Sequence, residues 1–403
     1  MALSLKKEFD GCLSEDFKTA INSAAAVAEN HGIKIYLIGG VVRDLIMHSS
    51  VKDIDIAVEG NAVDFCRLLE QNLCCKISAL QENLLTAKVL FDNNIEIDFA
   101  STREEKYLKS GYLPEAYNFG CSLEKDVKRR DFTINTLAIN LTGDDKFLLI
   151  DYYNGYSDIQ NKLVRILHEK SFIDDPSRII RALKFKLRFN FEFEDNTYTL
   201  MQLYLSKPDK YIPMERIKNE LYQYFSIPKK GIYNNLLKYG IYKLISDKPY
   251  NQFDENRLLE IQKYNIIDNI SFFYTSLLII NDEEIFLNLT AKEMKIIKEI
   301  KDLLISKCNN DKFEIYKKYA DKEKLALVVY YIMTNDKTLI LFLEKLRYTK
   351  ILINGKDLIN IGLNPSPKFS KIFDEVLKEK LENHIKTKEE EINFVKQLIK
   401  KGE

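Results

Sequence analysis

The sequence predicts a mixed α/β head followed by a long, almost wholly helical remainder, and three observations carry that expectation. Up to about residue 150, short runs with strand character alternate with helical stretches: KIYLI, DIDIAV, TAKVLF, IEIDFA and FTINTLAINL. After that point nearly every segment has helical periodicity. Two capping boxes, Thr290-Ala-Lys-Glu293 and Thr387-Lys-Glu-Glu390, open helices over MKIIKEIKDLLI and INFVKQLIKK. The 403 residues are 46% hydrophobic, enough apolar content for roughly two to four packed units.

Charge and composition narrow the classes. Sixty basic and sixty acidic residues cancel, which excludes a histone-like binder and an acidic solvating chain. With 14 glycines and 8 prolines, collagenous and low-complexity architectures are excluded too. Cysteines at 12, 66, 74, 75, 121 and 308 form no C-x-x-C, and the histidines at 31, 48, 168 and 384 complete no zinc pattern. Scattered cysteines suit a reducing compartment. The start, MALSLKKEFDGCLSEDF, lacks the apolar core of a signal peptide. The longest apolar run, LALVVYYIM at 325–333, is far shorter than the roughly 20 residues that span a bilayer. A cytoplasmic, soluble protein is expected. Breaks at Pro208, Pro228, Gly231, Gly355 and Pro365–Pro367 separate the helices without making long linkers.

Within the head, YLIGGVVRDLI (36–46) runs an apolar strand into Gly39-Gly40 and then into a helix carrying Arg43 and Asp44. Paired glycines let backbone approach an anion, and helix N-terminal amides favour phosphate. A plain tight turn explains the same letters equally well. Ten residues after Arg43 comes Asp53-Ile54-Asp55. On a strand both carboxylates share one face, and their mutual repulsion calls for a cation, Mg²⁺ suiting oxygen ligands; the alternative is an exposed edge with two solvated aspartates. Ile95-Glu96-Ile97-Asp98 repeats the alternation. A third carboxylate from a neighbouring strand, Asp98 in preference to Glu96, completes a site for in-line nucleotidyl transfer.

Lys128-Arg129-Arg130-Asp131-Phe132-Thr133-Ile134-Asn135 sets three cations beside an aspartate and an asparagine at the edge of an apolar strand. Arginine forks onto phosphate oxygens and asparagine bonds a ribose hydroxyl, although a run of cations is commonly a solvated face. In SFIDDPSRIIRALKFKLRF (171–189), Asp175 is a good N-cap and Pro176 a good first helical residue. Ile179, Ile180, Leu183 and Leu187 form a core side; Arg178, Arg181, Ala182 and Phe185 form the other. An aspartate beside an arginine on a rigid element supplies the acceptor and donor that read a base edge. Plain capping is the competing role for Asp175.

The ordered set GGVVRD, DID, IDFASTREEKY, GYLPEAYNF, KRRDFTIN, DDPSRIIRALKF and MERIKNEL, with INGKDLINIGLNPSP near the end, resembles the class II tRNA nucleotidyltransferases and their bacterial poly(A) polymerase relatives. The resemblance spans nearly the whole chain and is sharpest over 36–225. It implies an α+β polymerase-β-like head (1–148), then an all-α neck (149–228), body (229–345) and tRNA-binding tail (346–403). It implies that Asp53, Asp55 and Asp98 hold Mg²⁺, and that Gly39, Gly40, Arg43, Arg130, Asp131 and Asn135 handle the triphosphate and sugar. Asp175 and Arg178, with Arg181 nearby, would select CTP and then ATP. The family's usual Glu-Asp-x-x-Arg reads Asp174-Asp175-Pro-Ser-Arg178 here, and Glu215-Arg216 matches a supporting neck motif. DIDIAVEG lacks the following G-R-R-F-R associated with poly(A) polymerases, and 101–119 looks like the intact loop needed for A addition. The implied function is CCA addition to tRNA, with A-only addition as nearest competitor. A small-molecule nucleotidyltransferase and a non-catalytic RNA-binding descendant fit less well.

Overall fold

The computed structural model describes residues 3–209, 213–285, 287–306, 309 and 311–400; Cys308 lies outside them. They form two compact units, Met1–Ile227 and Pro228–Glu403.

In the first unit α1 (Lys6–Cys12) and α2 (Glu15–Asn30) lead into β1 (Lys34–Ile38), α3 (Gly40–Ile46), β2 (Asp55–Glu59) and α4 (Ala62–Asn72). Then come β3 (Cys75–Gln81), β4 (Thr86–Phe91), β5 (Glu96–Ser101), the short ribbon β6 (Glu104–Lys106) and β7 (Glu115–Tyr117), α5 (Leu123–Val127), β8 (Ala138–Asn140) and β9 (Leu149–Ile150). Seven strands make one sheet in the order β3-β4-β5-β2-β1-β8-β9. Only β2 and β5 run parallel; the other pairs are antiparallel. Ser14 caps α2 and Asn61 caps α4, each accepting from backbone N–H groups of the first turn. Period-2 alternation buries Ile54, Ile56 and Val58 of the β2 segment and Ile97 and Phe99 of β5. Phe99 meets Phe65 of α4 edge-on at 5.8 Å. On the opposite face Tyr36, Ile38, Ala57 and Ala138 pack against Leu123 and Val127 of α5.

Two expectations fail locally. FTINTLAINL is a strand only over Ala138–Asn140, while Thr133–Asn135 is a 3₁₀ turn. Asn135 Nδ2 donates to Asp131 Oδ1 at 2.9 Å and Thr136 Oγ1 to the Thr133 carbonyl at 2.8 Å, local bonds that compete with a sheet ladder. The edge strand β3 was not expected, because CKISALQ is largely exposed and shows no apolar face.

The unit continues with α6 (Gly155–Gln160), β10 (Leu163–Val164), α7 (Ser171–Asp174), α8 (Ser177–Phe189), β11 (Glu192–Phe193), α9 (Asp195–Ser206) and α10 (Met214–Phe225). β10 and β11 pair in parallel, a small ribbon inside a region read as helical. α8 packs along α10.

The second unit is helical throughout its described residues, with α11 (Ile232–Lys238), α12 (Glu255–Gln262), α13 (Ile270–Ile279), α14 (Ala291–Ile305), α15 (Lys312–Tyr319), α16 (Lys324–Thr334) and α17 (Lys337–Glu344). α18 (Gly355–Asn360), α19 (Lys368–Leu381) and α20 (Lys388–Lys400) follow. Both expected capping boxes form, Thr290 with Glu293 and Thr387 with Glu390. The apolar run at 325–333 is α16, buried inside this unit. Among the described residues no helix is long and apolar enough to cross a membrane. Near the C-terminus Ile353, Leu358, Val376 and Val395 share a core. There the fully buried Glu391 accepts the amides of Leu352 and Ile353 and pairs with Lys380.

Candidate active site

The double glycine has a steric reason. Gly39 has φ +77°, and a Cβ there would lie 2.8 Å from Arg130 Nη1. The turn thus admits a guanidinium against the backbone, which a side chain there would push aside. Arg43, one turn into α3, is 5% exposed. Its Nη1 donates to Asn135 Oδ1 at 2.6 Å and its Nε to Asp44 Oδ1 at 2.9 Å, with its guanidinium 4.6 Å above the Phe189 ring.

From Asn135 a polar network crosses three elements. Asp131 Oδ1 accepts Asn135 Nδ2 and the Phe132 amide, both at 2.9 Å. Its Oδ2 accepts Arg181 Nε and Nη2 at 2.8 and 2.5 Å, a bidentate fork from α8. Arg181 Nη1 reaches Glu220 of α10 at 3.0 Å, and Glu220 also pairs with Lys184 at 2.7 Å. Burial pushes the Asp131 carboxyl up, but Arg181 and Asn135 outweigh it and hold it below the usual carboxylate range. Asp126 behaves likewise. Almost fully buried, it pairs with Arg129 at 2.9 Å and Arg130 at 3.3 Å and accepts the Arg103 amide; these outweigh its desolvation and depress its pKa.

These groups surround a cleft of about 690 Å³. Gly40, Arg43, Arg130, Asp131, Asn135, Asp175, Arg178 and Arg181, all anticipated, line it. Its six arginines against three carboxylates leave a formal excess of three positive charges, in a chain that is neutral overall. That balance suits a polyanion. Tyr107, Arg129, Ser177, Phe185, Arg216, Asn219, Glu220 and Gln223 line it as well and were not assigned there from sequence. Arg216, Asn219, Glu220 and Gln223 form an i, i+3, i+4, i+7 stripe on α10, opposite its buried Ile217, Leu221 and Tyr224. That periodicity was the available signal.

On α8, Arg178 and Phe185 are buried like the apolar side, so the second face is an inward cleft wall. Leu187, assigned to the core side, is only partly buried. Asp175 is 3% exposed and does cap the helix: its Oδ1 accepts the Ser177 amide at 3.1 Å and Ser177 Oγ at 2.6 Å. Its Oδ2 pairs with Arg216. Arg178 donates to Ser171 Oγ (2.7 Å), Tyr107 Oη (3.2 Å) and the Arg129 carbonyl (3.0 Å). Through Tyr107, and through Ser110 Oγ to the Ile173 carbonyl (2.5 Å) and the Gly111 amide to the Asp174 carbonyl (3.0 Å), the 101–119 loop packs on α7 and α8.

The carboxylates lie on the sheet. Asp53 precedes β2 and is not on the strand, as β2 begins at Asp55. Asp55 and Asp98 are direct register partners across the parallel β2–β5 pair. Asp55 is exposed at its edge, yet desolvation of its carboxyl by the surrounding chain, and then the charges of Asp98 and Asp53, raise it against the pull of Arg130. Lys88 Nζ lies 3.1 Å from Asp98 Oδ2 and 3.4 Å from Glu96 Oε2; Glu96 also accepts Ser78 Oγ at 2.6 Å. Asp55, Lys88 and Asp98 border a second hollow of about 320 Å³ with Ala79, Ala87 and Ala100. Among the described residues, no three His, Cys, Asp or Glu side chains stand close enough to grip one ion.

Residues 35–165 match the Poly A polymerase head domain family. The chain is 26% identical to the A-adding tRNA nucleotidyltransferase of Halalkalibacterium halodurans, over 96% of this chain and 94% of that protein. A stretch of 176 residues is 38% identical to the A-adding tRNA nucleotidyltransferase of Geobacter sulfurreducens, covering 44% of this chain and 20% of that protein. The Thermotoga maritima CCA-adding enzyme, solved in complex with tRNA, shares the fold with a TM-score of 0.77 at 22% identity, over 98% of this chain and 99% of that one.

Proposed function

Since the chain belongs to the tRNA nucleotidyltransferase family, with a poly(A) polymerase head, we propose that it builds the 3′-CCA end of tRNA from CTP and ATP. The observation that carries this reading is the net-cationic cleft in which Asp131–Arg181 and Asp175 face one space of nucleotide size. Arg130 binds the triphosphate, and Asn135, aimed by Arg43 and Asp131, bonds the ribose. Asp175 accepts the exocyclic amine of cytosine or adenine, and Arg178 donates to the neighbouring ring nitrogen. Uracil and guanine carry the reverse pattern at those positions and are rejected. The loop's packing on the helix bearing Asp175 and Arg178 supports competence for A addition.

Nucleotidyltransferases of this family generally use divalent ions. The register partners Asp55 and Asp98 are hard oxygen donors of the kind Mg²⁺ takes, and Asp53, Asp55 and Asp98 would hold it once their oxygens draw closer than they stand here. When bound, the ion activates the attacking hydroxyl and neutralises the departing pyrophosphate. The division into head, neck, body and tRNA-binding tail at 148, 228 and 345, and a cytoplasmic location, belong to the same proposal.

A-only addition is the second reading, favoured because the full-length relative and the 38% identical stretch both belong to proteins named A-adding. The purified protein is given tRNA ending before C, after C and after CC, each with labelled CTP or ATP. CMP on the first two substrates and AMP on the third supports CCA addition. AMP on the third alone selects the A-only reading, and homopolymer products or no extension overturn both.

A further inference from the structure

Resting on the nucleotidyl-transfer reading above, we infer that the hollow beside Asp98 seats the 3′-terminal nucleoside of the RNA acceptor, apart from the arginine-lined cleft that takes the incoming nucleotide. Strand register builds this hollow. Asp55, Asp98, Lys88 and Ala79 are successive partners across β2, β5, β4 and β3, so they form one row on one face of the sheet. Ala100, Thr86 and Gln81 form the next row, two residues along each strand. From Asp98 to Ala79 is two strand spacings, about 10 Å. Ala79 and Ala100 set methyl groups where longer side chains would fill the face, and a space of about 320 Å³ opens beside them. That size is near the lower end for small-molecule pockets and fits a nucleoside better than one carrying a triphosphate.

Charge argues the same way. The ionisable groups lining the hollow are Asp55, Asp98 and Lys88, so a triphosphate is repelled there while a neutral sugar hydroxyl and a flat base are not. The direction of attack then selects the occupant. In-line transfer sets the attacking oxygen and the departing pyrophosphate on opposite sides of the α-phosphorus. The sheet order β3-β4-β5-β2-β1-β8 sets the two spaces on opposite sides of Asp55 and Asp98. On one side Gly40 follows β1 and Arg130 and Asn135 precede β8; on the other the hollow spans β5, β4 and β3. With the triphosphate held by Arg130, the hydroxyl has to arrive over β5. A nucleoside in the hollow delivers it, with its ribose at the carboxylate end, its base over the alanines, and the Thr86 hydroxyl and Gln81 amide at the base edge. The 3′ oxygen bonds the α-phosphorus as the bond from that phosphorus to pyrophosphate breaks, and the hydroxyl proton leaves to Asp98.

The test fills the hollow and strips the acceptor. AMP addition to tRNA ending after CC is measured in the wild type, Ala79→Leu and Ala100→Leu, with each substrate varied in turn. Both variants should raise the KM for tRNA by about tenfold, the equivalent of one lost base-stacking contact, while the KM for ATP stays within about twofold. The same tRNA is then offered with its last base removed. The wild type should lose about tenfold in kcat/KM on that abasic end, and in Ala79→Leu the loss should shrink to within about twofold, because the base has already been displaced. An abasic penalty undiminished in Ala79→Leu overturns the inference. So does a KM for ATP that rises as much as that for tRNA, which would give the hollow to the incoming nucleotide. Ala79 is exposed on the edge strand, so its variant decides the matter if Ala100→Leu does not fold. Failure of the wild type to extend tRNA with any nucleotide would instead remove the reading beneath.

Discussion

The arginine-lined cleft and the carboxylate face of the sheet meet at Arg130 and Asp55, yet they are charged on opposite plans. In and behind the cleft the carboxylates are answered by arginines, Asp131 by Arg181 of α8 and Asp126 by Arg129 and Arg130 just beyond its own helix, so both stay ionised despite burial. On the sheet Asp55 is pushed the other way, first by desolvation and then by the charges of Asp98 and Asp53, against the pull of Arg130. The compensating lysine there, Lys88, is 44% exposed, and exposed pairs contribute little. The cleft is pre-organised by charges the chain supplies itself. The sheet face leaves its carboxylates with only an exposed lysine of the chain's own against them.

The sharpest way to test that division is to remove one charge from each side. Asp55→Ala should lower nucleotide incorporation by about 10³-fold or more, as expected when several kcal/mol of metal stabilisation disappear, while filter binding of tRNA stays near wild type. Melting should show no loss of stability, because the group removed is disfavoured as an anion in the fold. Equal loss of binding and turnover would place Asp55 in the scaffold.

Asp131→Ala should, by contrast, cost stability as well as activity, unfolding the protein more easily by about 2–3 kcal/mol in urea titrations. That lies below the usual figure for a broken buried pair, because Arg181 keeps Glu220 and is partly exposed. A stability change within about 0.5 kcal/mol would mean the network is dispensable to the fold.

Acid should separate the two regions without any substitution. Asp131 and Asp126 have folded pKa values below their ordinary 3.8, so their stabilisation is complete above that value and is lost only as pH falls through the lower folded ones. In the metal-free protein Asp55, raised above 3.8, takes up its proton earlier on the same descent. Without divalent ions, the carboxyl carbon-13 resonance of Asp55 should therefore titrate at a higher pH than the near-ultraviolet circular dichroism declines; coincident curves would erase the contrast.

Much of the site was legible because its chemistry is local in sequence. Gly39-Gly40 and Arg130 to Asn135 each carry their logic within a few residues, and period-2 alternation set Asp98 level with Asp55, although it also put Asp53 on a strand that begins only at Asp55. What could not be read was pairing across elements. Asp131 finds Arg181 fifty residues away, and Asp175 finds Arg216 forty-one residues away. Asp126 had no signal of its own in the letters, yet it is a buried hub for two arginines. The 3₁₀ turn at Thr133–Asn135 was hidden by uniformly apolar neighbours, whose burial fits strand and turn alike. The α10 stripe was readable from its spacing, but nothing in the letters said that its polar side faces a cleft.

The smallest expected effect bears most directly on how the sheet face is held in check. Lys88 opposes Asp98 across the β4–β5 pair and lies within ion-pair distance of both Asp98 and Glu96. A divalent ion approaching Asp98 competes with that ammonium, and Glu96 gives the lysine somewhere to retreat. Removing the charge in Lys88→Met should therefore tighten metal binding, lowering the Mn²⁺ concentration for half-saturation in electron paramagnetic resonance titrations by about 2- to 5-fold, the equivalent of one exposed ion pair. Glu96→Gln, which leaves Lys88 only Asp98, should shift it upward by a similar or smaller factor. If both variants bind Mn²⁺ like the wild type, Lys88 is a surface ion pair and the carboxylate face stands open to its cation.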